Sequence, residues 1–383
     1  MRILQLTPRV ADPPTDGGRV VMLQIANALR RLGNDVQVLS LNPRKQHVDA
    51  EDAIDIDTSA HLAALWHAVR LGVPYLVARF FTPRFADAIR ARLREQRFDV
   101  VQIESPFLLP YVPIIRQSSD AIVVLRSLNV EFRVWEQLTG PLARVIARSL
   151  RRYEIAQLNT CDAIVPITED DARDFRALGC TKPIHVLPGG VDLPPLVREG
   201  RGAVGFLGSL DYRPNQEAAL WIAEQLQPRL AAEIHIAGSN APAWLLERIH
   251  SAGEVANAAD FIQSMSVMIA PIFSGGGMRI KILEAMANAR PVVSTSIGAA
   301  GIDSDDILIA DDADSFAAAV SRLLSDPSRA KSIGEAGRRL VATRYATDVL
   351  ARELVAFYEE LMKRRATDAT DVSGRATAAH ARP

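Results

Sequence analysis

Two cysteines in 383 residues are too few for a disulfide-built scaffold. Cys161 and Cys180 have no metal-ligand spacing, and a chain this long needs no staple, so they point to a reducing, cytosolic compartment. No apolar run reaches the length of a membrane span, and Met1-Arg2-Ile3-Leu4-Gln5-Leu6 reads as a first strand, too short for a signal-peptide core. A role at a membrane would have this protein lying on it. An excess of one charge is missing too: 44 basic and 45 acidic side chains leave a formal charge of −1 and no general case for nucleic-acid binding. The glycines do not give Gly-x-Gly-x-x-Gly with an acidic residue some twenty positions on, which argues against a dinucleotide-dependent oxidoreductase.

What is present is an ordinary globular composition, 48% apolar and 23% charged, at a length that suggests two domains. Strand and helix patterns alternate almost throughout, the pattern of α/β layers around parallel sheets. Arg2–Leu6, Asp35–Leu41, Phe98–Glu104, Ala121–Arg126 and Asp162–Thr168 read as strands of a first domain, and Asp49–Asp57 as an exposed acidic excursion. Ala203–Gly208, Glu233–Gly238, Val267–Ala270 and Pro291–Thr295 repeat the layout in a second. Residues 183–201 carry four prolines and three glycines, which break periodicity as an interdomain linker does. The expected division is a domain over 1–188, a linker over 189–201, a second domain over 202–345, a terminal helix over 346–365, and a disordered tail over 366–383 that lacks bulky apolar residues. Two doubly wound domains put their strand ends face to face, so a ligand site belongs in the cleft between them.

The most informative stretch is Pro271-Ile272-Phe273-Ser274-Gly275-Gly276-Gly277-Met278-Arg279-Ile280-Lys281-Ile282-Leu283-Glu284. A buried strand runs into three glycines that open a helix, where close backbone approach and unpaired N–H groups suit a phosphate. Lys281, Glu284 and Asn288 share one helical stripe, so a carboxylate could grip ribose hydroxyls while the turn holds phosphates. A helix with one solvated face after a tight turn would read the same way.

With Gly17-Gly18-Arg19 and Gly208-Ser209-Leu210-Asp211-Tyr212-Arg213-Pro214-Asn215, this stretch resembles the signature of the family-4 retaining glycosyltransferases of the GT-B fold, over roughly residues 1–360. The resemblance implies two Rossmann-like domains, with the terminal helix returning to the first. It also implies sugar transfer from a nucleoside-diphosphate sugar to a hydroxyl of a glycan or lipid-linked acceptor. By resemblance Glu284 orients the ribose, while Lys281, Arg213 and Arg279 are candidate cations for the departing diphosphate. Asn129 stands in the loop Arg126–Glu131, which meets the donor sugar in similar proteins. Gly17, Gly18, Gly208, Ser209, Gly275, Gly276, Gly277, Met278 and Thr295 are donor-binding candidates, and Glu254 is a candidate for the nucleobase edge. Thr168-Glu169-Asp170-Asp171 reads first as a helix cap.

No Asp-x-Asp metal site is evident beside these turns, so no metal cofactor is expected. Two positions depart from the family: Gly276 stands where a first glutamate is usual, eight residues before Glu284, and Leu128 where a histidine is common. Those departures leave open a non-catalytic, donor-binding member of the same fold. Finally, Leu71–Arg97 mixes Tyr75, Phe80, Phe81 and Phe85 with six arginines, either an amphipathic surface for anionic lipid or a solvated face over its own core.

Overall fold

A computed structural model describes residues 1–380 except 15, 45–46, 60–61, 139, 197–199, 201, 250 and 276, with the side chains of 251–252 and 368–380 also left out. In the first domain β1 (Arg2–Thr7), β2 (Asp35–Pro43), β3 (Ala53–Ile56), β4 (Val100–Ile103), β5 (Ile122–Ser127) and β6 (Ala163–Pro166) form a parallel sheet in the order β3-β2-β1-β4-β5-β6. Its helices are α1 (Gly17–Arg31), α2 (Leu62–Leu71), α3 (Tyr75–Ala78), α4 (Pro83–Glu95), α5 (Val112–Ser118), α6 (Glu131–Glu136), α7 (Pro141–Gln157) and α8 (Glu169–Ala177).

The second domain repeats the plan. Strands β7 (Val204–Leu207), β8 (Ile234–Ala237), β9 (Ser251–Gly253), β10 (Val267–Ala270), β11 (Val292–Ser294) and β12 (Ile307–Ile309) run parallel in the order β12-β11-β10-β7-β8-β9. Around them lie α9 (Arg213–Trp221), α10 (Ala243–Leu246), α11 (Ala258–Ser264), α12 (Ile280–Ala287), α13 (Ser296–Ala299), α14 (Ala313–Ser325) and α15 (Pro327–Leu340), and the chain ends in α16 (Thr347–His380). Central strands such as β4 and β10 are buried along their whole length because helices cover both faces of a parallel sheet, hence their unbroken apolar runs. In both sheets the order reverses between the first and fourth strands of the domain, which opens a crevice at their carboxyl ends.

Two elements differ from the sequence reading. The acidic stretch expected as an excursion contains β3, an edge strand paired with β2 in which Ile56 is buried. The terminal helix does not stop at 365: α16 continues to His380 through most of the stretch expected to be disordered. Lack of bulky apolar residues denies that stretch a packing face, but it is rich in alanine and meets no proline before Pro383, so nothing breaks the helix. The first turns of α16 cross back to the first domain, where Leu350, Leu354 and Tyr358 are buried with Ile3, Leu29, Val100 and Val124. There Tyr358 Oη donates to Gln102 Oε1 at 2.6 Å.

Candidate functional site

On the second domain the site begins where β10 ends. The loop from Pro271 to Arg279 folds around the Arg279 guanidinium, which donates to the carbonyl oxygens of Ser274 (3.2 Å), Gly275 (2.8 Å) and Gly277 (2.8 Å). Gly275 and Gly277 stand at φ +93° and +75°, left-handed conformations that glycine adopts without strain. Arg279, a candidate diphosphate cation by sequence, is buried with its guanidinium turned onto the loop carbonyls. Gly276 lies outside the described residues.

In the first turn of α12, Lys281 reaches across to the end of β7. Its ammonium donates to Asn215 Oδ1 at 2.7 Å and lies 4.2 Å from the centre of the Phe206 ring. Asn215 in turn donates to the carbonyl of Ser209 at 2.7 Å. A Cβ placed on Gly208 would stand 2.6 Å from Lys281 Nζ, so a side chain there would push the ammonium from its present position. Burial, aided by the Arg279 charge and opposed by Glu284, pushes Lys281 down to about 7. Burial pushes Glu284, one turn further along the helix, up to about 7, with Lys281 opposing. The two form no ion pair within 4.0 Å in the described residues.

The first domain closes on this loop from above. Asp16 caps α1 by accepting from the N–H groups of Gly18 (3.0 Å) and Arg19 (3.1 Å), and it pairs with Arg9 at 2.9 Å. The helix end at Gly17-Gly18 therefore already holds a carboxylate. Cβ atoms on Gly17 and Gly18 would meet Ile280 at 3.6 Å and Leu128 at 3.4 Å, and one on Gly277 would meet Asn129 Oδ1 at 3.2 Å. Gly17, Gly18, Asn129, Gly277 and the start of α12 thus meet across the cleft. Beside Asn129, burial and neighbouring Glu154 push the Glu131 carboxyl up to about 8, with Arg9 opposing. Thr168 caps α8, accepting from the Asp171 N–H at 3.0 Å. A crevice of about 930 Å³ continues between the domains, lined by Asn129, Thr168 and Asp170 on one side and Gly277, Met278 and Gly301 on the other.

Other candidates lie apart or are engaged. Arg213 is exposed at the start of α9, with Nε on Glu217 at 2.8 Å, and Glu217 also accepts from Ser274 Oγ at 2.7 Å. It braces the outside of the loop. Thr295 is buried, capping α13 through Gly298 N–H and donating to the Ile272 carbonyl. Ser209 Oγ donates to Asp211 at 2.6 Å. Glu254 is exposed just beyond β9, at the carboxyl edge of the sheet. Sequence reasoning passed over Asn215, Phe206 and Arg9. Asn215 closes the motif Gly208–Asn215 and could have been found there; Arg9, in a loop of prolines and aspartates, carried no signal. Among the described residues no three His, Cys, Asp or Glu side chains converge as a metal site.

Comparison with known proteins fits this two-domain fold. The model for Glycosyltransferase Family 4 matches residues 15–194, and that for Glycosyl transferases group 1 matches 201–326. The chain is 28% identical over 391 aligned residues to the phosphatidyl-myo-inositol mannosyltransferase of Mycolicibacterium smegmatis, covering 94% of each. It is 30% identical over 178 residues to the lipopolysaccharide core mannosyltransferase LpsB of Rhizobium meliloti, covering 44% of this chain and 50% of LpsB. Among solved structures it superposes on the sucrose-phosphate synthase of Thermosynechococcus elongatus with a TM-score of 0.72 at 16% identity, over 95% of this chain and all of the other. On Anabaena HepE in complex with UDP the TM-score is 0.63 at 13% identity, over 94% of this chain and 100% of HepE.

Proposed function

Because this chain belongs to the family-4 glycosyltransferases of the GT-B fold, each domain matching a model of its own, we propose that it transfers a sugar from a nucleoside-diphosphate sugar to a hydroxyl of a glycan or lipid-linked acceptor, with retention and without a metal ion. The observation that carries the reading is the Lys281–Glu284 pair beneath the Gly208 turn. Both groups are brought near neutrality by burial, and each fits one part of a nucleotide. A diphosphate favours the Lys281 ammonium, and a ribose diol is best gripped by the Glu284 carboxylate, which accepts from both hydroxyls.

Charge develops on the diphosphate as the sugar leaves, and Lys281 with the loop N–H groups stabilises it in a partly dry cleft. A retaining transfer brings the acceptor in on the face the diphosphate leaves. Glu131 is a poor nucleophile for a covalent alternative, because burial keeps it protonated at neutral pH. The departing diphosphate oxygen is then the base that takes the acceptor proton. Both curated relatives described above are mannosyltransferases by name, so a mannosyl donor heads the panel, followed by UDP-glucose. We place the reaction in the cytosol, where Cys161 and Cys180 stay as free thiols.

The test is a donor panel with EDTA present, scored by nucleotide release and, once an acceptor is found, by the anomeric configuration of the product. Release from one donor in EDTA, with a retained product, is the expected result. Release that requires added Mg²⁺, or an inverted product, would overturn the corresponding part of the proposal.

A further inference from the structure

The loop that carries Asn129 is held at both ends. At its near end, on β5, Arg126 donates through one nitrogen to both oxygens of Glu104 at 2.9 Å, and both side chains are buried. Ser127 Oγ then donates to the Asn129 carbonyl at 2.6 Å. At its far end the loop becomes α6, whose cap position is Val130, a residue with no side-chain acceptor. The open N–H groups of that helix end are taken up by two other helices. Glu154 of α7 accepts from the Glu131 N–H with one oxygen and from the Phe132 N–H with the other, each at 3.0 Å. Asp171 of α8 accepts from the Val130 N–H.

Glu154 is 3% exposed and does not line the crevice between the domains, whereas Asn129 does. Packing gives the carboxylate a fixed base. Beside it Tyr153 Oη donates to the Pro106 carbonyl at 2.8 Å. That contact joins α7 to the layer in which Phe80, Phe81 and Phe85 of 71–97, aromatics that one sequence reading put at a lipid surface, are turned inward onto Phe107 and Tyr111.

We propose that Glu154 is a positioning residue for sugar transfer: by fixing the first turn of α6 it holds Asn129 opposite Gly277 and so sets the orientation of the donor sugar. A two-oxygen acceptor suits the task, because binding two consecutive N–H groups fixes both the place and the direction of the helix start. Asn129 is one residue from that start. With the near end pinned by Arg126, slack of about an ångström at the far end passes directly to Asn129, and at a reacting sugar such a misplacement costs about tenfold to a hundredfold in rate. The role in transfer rests on the proposed function, but the hold of Glu154 on the loop does not.

The test measures nucleotide release from a turned-over donor by wild type, Glu154→Gln, Asn129→Ala and the double variant. Glu154→Gln keeps the volume of the side chain and turns an NH2 group onto one of the two N–H groups. It should lower kcat about tenfold or more, leave the calorimetric Kd for free nucleoside diphosphate unchanged, and cost nothing further in the Asn129→Ala background, because it acts through Asn129. Wild-type kcat in folded Glu154→Gln, or an equal loss in both backgrounds, would overturn the proposal. Amide hydrogen exchange reads the hold on the loop without turnover: the Glu131 and Phe132 amides should be protected in wild type and exchange about tenfold faster or more in Glu154→Gln. Should that variant misfold, Glu154→Asp, too short to reach both N–H groups, takes its place. Unprotected amides in wild type would overturn the proposal whatever the variants do. A wild type that releases no nucleotide yet protects these amides would defeat the proposed function, and the role in transfer with it, while the hold on the loop stands.

Discussion

Lys281 and Glu284 pull the pH dependence in opposite directions. Lys281 is lowered from 10.5 to about 7, so the ammonium that a diphosphate needs is lost as pH rises past about 7, and binding above that point takes up a proton. Glu284 is raised from 4.5 to about 7, so the carboxylate that a ribose needs is lost as pH falls below about 7, and binding there releases one. Donor affinity should therefore peak near neutral pH. Lys281→Arg, charged throughout, should flatten the alkaline limb and leave the acid limb in place. Titration calorimetry across pH reads both limbs, and an affinity flat from pH 5 to 9 would refute the assignment. The sequence displayed Lys281 and Glu284 on one helical stripe, since spacing fixes a stripe. It could not display the burial that brings both near neutrality, nor that Arg279 turns onto its own loop, because the partners there are main-chain carbonyls common to every residue.

The element that matters most is the loop between β10 and α12. Gly277 combines a φ of +75° with a Cβ direction that points at Asn129. Gly277→Ala should cost roughly 1–2 kcal/mol of stability through left-handed strain. It should also slow nucleotide release by more than that strain alone implies, because Asn129 is displaced. A urea midpoint and a release rate separate the two effects, and an unchanged release rate would show that the loop need not close on Asn129. Element type was legible where the pattern was long: the alternating strands and helices gave the α/β class, and β10 reads directly from Val267-Met268-Ile269-Ala270. What was not legible is short and peripheral. β3, β9 and β12 are edge strands of three or four residues, too brief to show a period, and β3 carries an exposed Asp55.

At the scale of the whole molecule, the first domain is completed by the last helix. Leu350, Leu354, Tyr358 and Leu361 fill its core from the far end of the chain. At roughly 1.5–3 kcal/mol for each large apolar side chain, their burial is comparable to the whole stability of an ordinary domain. A fragment of residues 1–190 should therefore lack fixed tertiary structure, seen as lost near-ultraviolet dichroism and rapid proteolysis, and a peptide of residues 346–367 should restore it. A stable isolated fragment would show that the crossing helix is an addition to the fold and no part of it. The same crossing ties the two domains together, where Val191 bridges to Ala346. We propose that the Lys281–Glu284 corner is the nucleotide-diphosphate site. The most direct measurement is calorimetric titration of a releasing donor, in EDTA, into wild type, Lys281→Ala and Glu284→Ala. Metal-free binding to wild type is expected, with an affinity about a hundredfold lower in each variant, the loss of charge-assisted hydrogen bonds, and unchanged far-ultraviolet dichroism. Folded variants that bind the donor as tightly as wild type would contradict it.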